Sequence, residues 1–506
     1  MAGIDSVDAK DVEKHQHIQV EDSPDLKDQV LAGEHLPVYD DKNTAKLLRK
    51  VDFRLLPMLT TLYLLSYLDR GNIGNARVAG MNQELNLTPK EYNLALTILF
   101  IPYALFEVPS NIVLKVIRPS TWMSILVVSW GGVMVGQGFV QNFKGLFATR
   151  FLLGLCESGF FPAASYLVGE WYCRFETQWR MSIFFSAASL AGAFSGLLAF
   201  ALAKMDGVGG QSGWRWIFII EGLVTIVIGA SLHWTLPDSP ATATFLSSEE
   251  KAFLKRRLEE DSGTAAGRVE TNEKFQWSFL KSTLSDWKIW FTVFVCWGNT
   301  IPLYAFVFTA PVIILQLGYT AAHAQLLTIP IYLCGTITTL VAARLSDRRQ
   351  SRWPFIVIPY SVALVGFVGV MAVPRSLPGL TYAFLFLITG GIFPAIICVI
   401  SWVSNNLSPT WRRAIGLGIT LMMANFGGAI GSNIYLAREA PTYWTGYGVS
   451  TGVLVNAILC TFVLRYAWKR ENEKRDKMSE EEIRARYSEQ ELLSLGDRSP
   501  LYRYVL

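Results

Sequence analysis

Charge is scarce in this chain. Asp, Glu, Lys and Arg make up 17% of its 506 residues, where a water-soluble domain carries about 25%, and mean hydropathy is +0.31. That composition excludes an ordinary soluble domain. Cysteine and histidine are sparse as well, six and five residues. No C-x-x-C spacing occurs, Cys156, Cys296, Cys334, Cys398 and Cys460 fall inside apolar runs with Cys173 at the edge of one, and His233 and His323 stand without companions. Buried thiols are the expectation, with no metal and no cofactor. No nucleophile, metal or phosphate motif is present, so the chain is not expected to be an enzyme. The first fifty residues are polar and acid-rich and lack the apolar core of a signal peptide, which predicts a disordered cytosolic tail.

What the chain has instead is long apolar runs. Windows of about twenty apolar residues, the length that crosses about 30 Å of hydrocarbon, recur at roughly 53–76, 92–114, 121–141, 144–168, 181–203, 214–235, 287–317, 323–343, 354–373, 379–402, 412–435 and 447–467. Lys and Arg distribute unevenly between the connections. One set holds Lys115, Arg118, Arg174, Arg180, Arg344, Arg348, Arg349, Arg352, Arg412 and Arg413; the other holds mainly Arg77, Lys90, Lys144, Lys204, Arg375 and Arg438. The positive-inside rule then places both termini in the cytosol, and the net charge of +4 speaks of membrane topology rather than nucleic acid.

A polar stretch, residues 237–286, divides the spans six and six. Within it Ser247 or Ser248 ahead of Glu249 and Glu250 predicts a capped helix, and the charged stretch after residue 468 is expected to be partly helical. The expected domains are thus a tail (1–50), a six-helix bundle (51–236), a central loop (237–286), a second bundle (287–468) and a second tail (469–506). The halves repeat: "GFFPAA" from Gly159 returns as "GIFPAI" from Gly391, 232 residues later, and "TQWRMSI" from Thr177 as "TWRRAIG" from Thr410. Six plus six with internal repetition is a transporter layout, with cargo held at the midplane between halves.

The scaffold repeats and the charge does not. At the same displacement Arg150 falls opposite Tyr382 and Glu157 opposite Thr389. Arg150 and Glu157, seven residues apart, share one helix face about 10 Å apart in height, with the small Gly154 between them. Asp69 and Arg70 interrupt the first span about 24 Å above its inner end, and Arg150 comes to a similar level. Glu157 is expected nearer the midplane. Ionisable groups at such depth cost at least about 2.5 kcal/mol each and are functional by default. Two guanidinium groups flanked by carboxylates would receive an organic anion, since guanidinium forks match carboxylates bidentately. A bland reading stands beside this one, in which the charges only fix helix packing. Glu107 before Pro109 reads as gating or packing at least as readily as binding, Glu221 as the partner of Arg215, and the aromatic run Trp290, Phe294, Trp297 and Tyr304 as lipid or helix contact.

"YLDRGNIGNAR" in span one, "RFLLGLCESGFFPAASYLVGEWY" in span four and the "PDSP" exit from span six resemble the major facilitator superfamily, and within it the fungal anion:cation symporters of the allantoate, nicotinate and pantothenate permease group. The resemblance runs from about residue 47 to 470. It implies an all-α integral membrane protein, the major facilitator fold, with 12 transmembrane helices as two pseudo-symmetric six-helix bundles. "ARLSDRRQSRWP" is similar to the superfamily's cytoplasmic gating signature and gives Asp347 and Arg348 that role, with Ala343 in place of the usual Gly. A more distant likeness to vesicular glutamate, sialin and sugar-acid transporters implies that Tyr67, Arg70 and Arg150 contact cargo while Asp69 and Glu157 carry protons. The same likeness has Asn425 in "MMANFGGAIGS" closing the site from the other half, with Asn299 as a looser candidate.

A mechanism also follows from the residues. A carboxylate paired with a guanidinium stays ionised, and one stripped of its partner in an apolar cavity takes a proton. An incoming anion that claims the arginine would therefore bring a proton with it, which is symport. The expected partners are a small organic anion, protons and the lipid membrane, with no nucleic acid, in a monomer at the plasma membrane. Two alternatives stay open, an exporter of acidic secondary metabolites and a non-transporting nutrient sensor. Asn86 in "NLT" is a candidate glycosylation acceptor.

Overall fold

Inside hydrocarbon every backbone polar group must be satisfied within its own segment, so apolar runs of this length become helices. The computed structural model describes residues 41–262, 277–349, 351–374, 376–408, 410–488, 491–492 and 495–506, and no strand occurs among them. Of the expected tail 1–50, residues 1–40 lie outside the described residues, and residues 41–50 are helical, the first turns of the helix Asp41–Val78. Twelve long helices follow in order: α1 (Asp41–Val78), α2 (Pro89–Val116), α3 (Pro119–Gln137), α4 (Phe143–Trp171), α5 (Arg174–Ala203), α6 (Gly213–Thr235), α7 (Trp287–Gln316), α8 (Thr328–Arg349), α9 (Pro354–Ala372), α10 (Pro378–Asn405), α11 (Thr410–Gly431) and α12 (Trp444–Arg475). By length and apolarity alone, α4 to α12 supply nine membrane-crossing helices among the described residues, and α1, α2 and α3 complete the fold beside them. Large apolar side chains point outward, Leu105 at 60% exposure, Val227 at 70%, Ile337 at 62% and Leu459 at 59%, which suits lipid and not water.

Two hydrophobic cores form. One gathers residues of α1 to α6 and the other residues of α7 to α12, and the few that cross over, such as Tyr304, Phe308 and Ile397, mark where the bundles touch. Within the first, α3 packs along α6, α2 along α4 and α1 along α5; within the second, α9 and α8 pack along α10 and α7 along α12. The repeated glycines do the same work in both halves. A Cβ on Gly159 would meet Ser110 Oγ of α2 at 1.7 Å, and one on Gly391 would meet the Pro359 carbonyl of α9 at 2.3 Å. Gly154 likewise lets α4 press on α2, where a Cβ would stand 2.0 Å from the Leu99 carbonyl.

The central stretch contains the capped helix read from sequence, now bounded Ser248–Ser262. Ser247 accepts from the Glu250 amide at 3.2 Å while Glu250 Oε2 accepts from the Ser247 amide at 2.9 Å, and Lys50 pairs with Glu250 at 2.7 Å.

The second tail goes beyond the expectation. After the short helix Glu480–Arg486, residues 502–506 fold back as a strap across the end of the second bundle. Asn406 accepts from the Val505 amide at 2.7 Å and donates to its carbonyl at 3.0 Å; Asn472 does the same for Tyr504, at 2.9 and 2.8 Å. Each asparagine thus imitates a strand partner. The Leu506 carbonyl accepts from the Arg352 amide at 2.8 Å, inside the loop that joins α8 to α9. Tyr504 is buried, stacked on Trp468 with ring centres 6.0 Å apart. Tyr504→Ala is therefore expected to lower stability by about 3 kcal/mol, read as a lower thermal midpoint of the purified protein. An unchanged midpoint would mean that the strap holds nothing.

Candidate functional site between the bundles

Among the described residues, buried charge away from the helix ends lies in the first bundle, while Arg412 and Arg475 are buried at the ends of α11 and α12. Asp69, Arg70, Glu107, Arg150, Glu157 and Glu221 are all at most 6% exposed. α1 and α4 bring Arg70 and Glu157 together: Arg70 Nε donates to Glu157 Oε2 at 2.5 Å, in an ion pair. Arg70 Nη1 donates to the Tyr304 hydroxyl of α7 at 3.2 Å. Its guanidinium carbon also lies 4.6 Å from the Tyr103 ring centre and 5.4 Å from that of Tyr67, within cation–π range. One arginine is thus held by three helices of its own bundle and one of the other.

A cavity opens beside it, between the bundles. The first bundle contributes Tyr63, Tyr67, Arg70, Tyr103, Glu107, Phe160, Phe161 and Phe185, and the second contributes Thr300, Tyr304, Ile396, Ile400, Leu421, Ala424 and Asn425. Asn425 Nδ2 donates to Glu107 Oε2 at 3.4 Å, a second polar link between the halves. The wall is otherwise aromatic and aliphatic, so a bound ion would meet little water and feel Arg70 strongly.

Of the residues singled out in the sequence, Tyr67, Arg70 and Asn425 line this cavity, and Glu157 sits behind Arg70. Arg150 does not line it. Gln137 Oε1, in the amide orientation that satisfies both of its ends, accepts from Arg150 Nε at 3.3 Å and Nη2 at 3.1 Å, and the arginine stays within electrostatic reach of Asp69 and Glu157. The two-guanidinium receptor is thus one guanidinium in this arrangement. Asp69 also turns away from the cavity, its Oδ2 accepting from Trp130 Nε1 at 3.1 Å while Oδ1 is buried without a partner.

Glu221 does not pair with Arg215, which bridges Glu84 at 2.8 Å. Asn72 Nδ2 donates to Glu221 Oε2 at 2.5 Å instead. Asn299 donates to the Ile392 carbonyl at 2.5 Å and ties α7 to α10, away from the cavity. Tyr382 and Thr389, the repeat counterparts of Arg150 and Glu157, donate to the carbonyls of Leu327 and Ile331 at 2.8 and 2.7 Å. The same positions that hold charge in one half staple helices in the other. Asp347 accepts from Arg352 at 2.9 Å and Arg348 is exposed at the end of α8. Asn86 is exposed with a positive φ of 51°, and the Thr88 hydroxyl of its sequon is engaged in the capping box that starts α2. Sequence reasoning missed Tyr103 and Thr300 and set Tyr304 and Glu107 aside; the position of Tyr103 four residues before Glu107 on one helix face was the available signal.

Cross-bundle packing concentrates at the end away from the termini. A Cβ on Gly74 would stand 3.0 Å from the Phe308 carbonyl, one on Gly196 2.3 Å from the Gln325 carbonyl, and one on Gly428 2.4 Å from the Phe100 ring. Asn433 donates to Thr97 Oγ1 at 2.7 Å in the same seam. The cavity residues lie on the termini side of it.

The sequence profile of the Major Facilitator Superfamily matches residues 59–432. The chain is similar to an MFS-type transporter cnsO of Penicillium expansum, 34% identical over 480 residues that cover 93% of this chain and 92% of the relative. It is also similar to the major facilitator-type transporter hxnP of Emericella nidulans, 31% identical and covering 98% and 99%, and to a high-affinity nicotinic acid transporter of Saccharomyces cerevisiae, 30% identical and covering 91% and 84%. Among solved structures, a bacterial homolog of the human lysosomal transporter Spinster, in an inward-facing and unoccupied conformation, shares the fold with a TM-score of 0.58 at 16% identity, covering 81% of this chain and 94% of that one.

Proposed function

Because the chain belongs to the Major Facilitator Superfamily, and is one of its transporters, we propose that it carries a small organic anion across the plasma membrane together with a proton, as a symporter of the fungal anion:cation kind. The observation that carries this reading is Arg70, the one guanidinium on the cavity wall among the described residues, held between Glu157 and the Tyr304 hydroxyl. A carboxylate entering the cavity competes with Glu157 for that fork. Glu157, displaced into an apolar and buried setting with Oε1 already lacking a partner, takes a proton, so that cargo and proton occupy the site together. Asp69, Glu107, Glu157 and Glu221 are all buried in the first bundle, and of them Glu157 alone forms an ion pair with Arg70 or Arg150 among the described residues. Asp69 is the second proton carrier in this reading, Tyr67 and Asn425 complete the contact with cargo, and Asp347 and Arg348 belong to the gate. The nicotinic acid transporter among the relatives supports a monocarboxylate as cargo. With the termini in the cytosol, the seam of Gly74, Gly196 and Gly428 is the closed outer gate.

Glu157→Gln tests the coupling. In proteoliposomes of the wild-type chain, an imposed gradient of one pH unit is expected to drive about tenfold accumulation of labelled nicotinate per proton coupled. The variant is expected to exchange internal for external cargo and to accumulate none. Undiminished accumulation would reject the scheme.

A further inference from the structure

The cavity has two polar poles. Arg70 and the Tyr304 hydroxyl form one. Glu107 with Asn425 forms the other. On α2, Tyr103 lies against the Arg70 guanidinium and Glu107 follows one turn later on the same helix, so both poles open on one cavity. Tyr67, Tyr103, Phe160 and Phe161 furnish an aromatic wall beside them, which suits a flat or ring-bearing body.

The second pole is an acceptor with little to accept from. Glu107 is 5% exposed, and its one hydrogen bond among the described residues comes from Asn425 at 3.4 Å, long for an N–H···O contact. No Lys or Arg among the described residues forms an ion pair with it, in contrast to Glu157. A carboxyl group kept in a cavity wall without a strong donor is costly unless something in the cavity supplies one.

We propose that Glu107, steadied by Asn425, is a donor-recognising subsite, and that the cargo is a flat or ring-bearing acid with its carboxylate at Arg70 and an N–H or O–H group that meets Glu107. This rests on the reading of the cavity as the carrier of an organic anion. Specificity then comes from both ends. An acid lacking the donor, nicotinate included, still engages Arg70 but leaves Glu107 unmatched and binds more weakly, because an unmatched buried polar group discriminates more sharply than a missing methyl.

The experiment is binding of benzoate, 3-aminobenzoate and 4-aminobenzoate to the purified full chain, wild type, Glu107→Gln and Glu107→Leu, each shown to be folded by its thermal midpoint. Wild-type protein is expected to prefer at least one aminobenzoate over benzoate by about tenfold. Glu107→Gln, which keeps an acceptor without charge, retains part of the preference, and Glu107→Leu abolishes it. Equal loss of all three acids in both variants would make Glu107 a structural latch to α11 and overturn the proposal, as would a wild-type protein indifferent to the amino group. Failure of all three acids to bind wild type would strike the organic-anion reading itself and this inference with it.

Discussion

Arg70→Gln abolishes uptake and destabilises the protein, and adding Glu157→Gln restores the stability without restoring uptake. The single substitution leaves Glu157 buried with its strongest partner gone, since the 2.5 Å bond from Arg70 is the one hydrogen bond it makes among the described residues. Breaking a buried ion pair from one side costs up to about 3–5 kcal/mol while the remaining partner stays charged, and less as Glu157 takes up a proton at lower pH. The double variant removes both charges and keeps two amides of matching size, so most of that loss returns. Cargo capture does not return, because the fork that fits a carboxylate is absent. A packing role for the pair predicts the opposite, recovery of both. Thermal midpoints and uptake measured on the same four proteins separate the two accounts. Arg150→Gln serves as the contrast: the side chain bonds Gln137 and stands off the cavity, so affinity for cargo is expected to fall far less.

Bulk at the glycine seam shifts the protein to the opposite-opening state. Gly196→Leu and Gly428→Val put side chains where the Gln325 carbonyl and the Phe100 ring already stand, 2.3 and 2.4 Å from the first added carbon. Those contacts join different bundles, so the clash is relieved by parting the bundles rather than by unfolding either. Overpacking of about 1–3 kcal/mol moves a two-state equilibrium by roughly 5- to 150-fold. Spin labels at Lys90 and Arg438, one on each bundle near the seam, are expected to move apart, and uptake to slow by about tenfold or more. Unchanged label distances together with normal uptake would show that the seam is not the gate. Gly154→Ala behaves differently. Its clash, 2.0 Å from the Leu99 carbonyl, lies within one bundle and has no rigid-body escape, so it lowers expression and stability instead.

Much of this was legible from one dimension. Span positions follow from apolar run length, the two-bundle layout from the repeat at Gly159 and Gly391, and the confinement of charge to the first half from Arg150 and Glu157 falling opposite Tyr382 and Thr389. These are properties of order along the chain. What failed needed rotation about helix axes and the meeting of distant segments. Periodicity puts Arg150 and Glu157 on one face but does not say that Arg70 reaches Glu157 first, or that Gln137 takes Arg150. Tyr304 looked like one aromatic among several in its span and proved to be the second bundle's hydroxyl on Arg70. The strap of residues 502–506 depends on Asn406 and Asn472, two ordinary asparagines until a backbone is laid between them.

The central claim is that anion capture by Arg70 hands Glu157 a proton, and proton uptake on binding tests it most directly. Nicotinate is added to purified protein in weakly buffered solution and the pH of the medium is followed. The account predicts alkalinisation that saturates with the binding sites, near one proton per anion bound, and is lost in Glu157→Gln while nicotinate still binds. Binding without any proton uptake, or uptake that persists unchanged in Glu157→Gln, would contradict it.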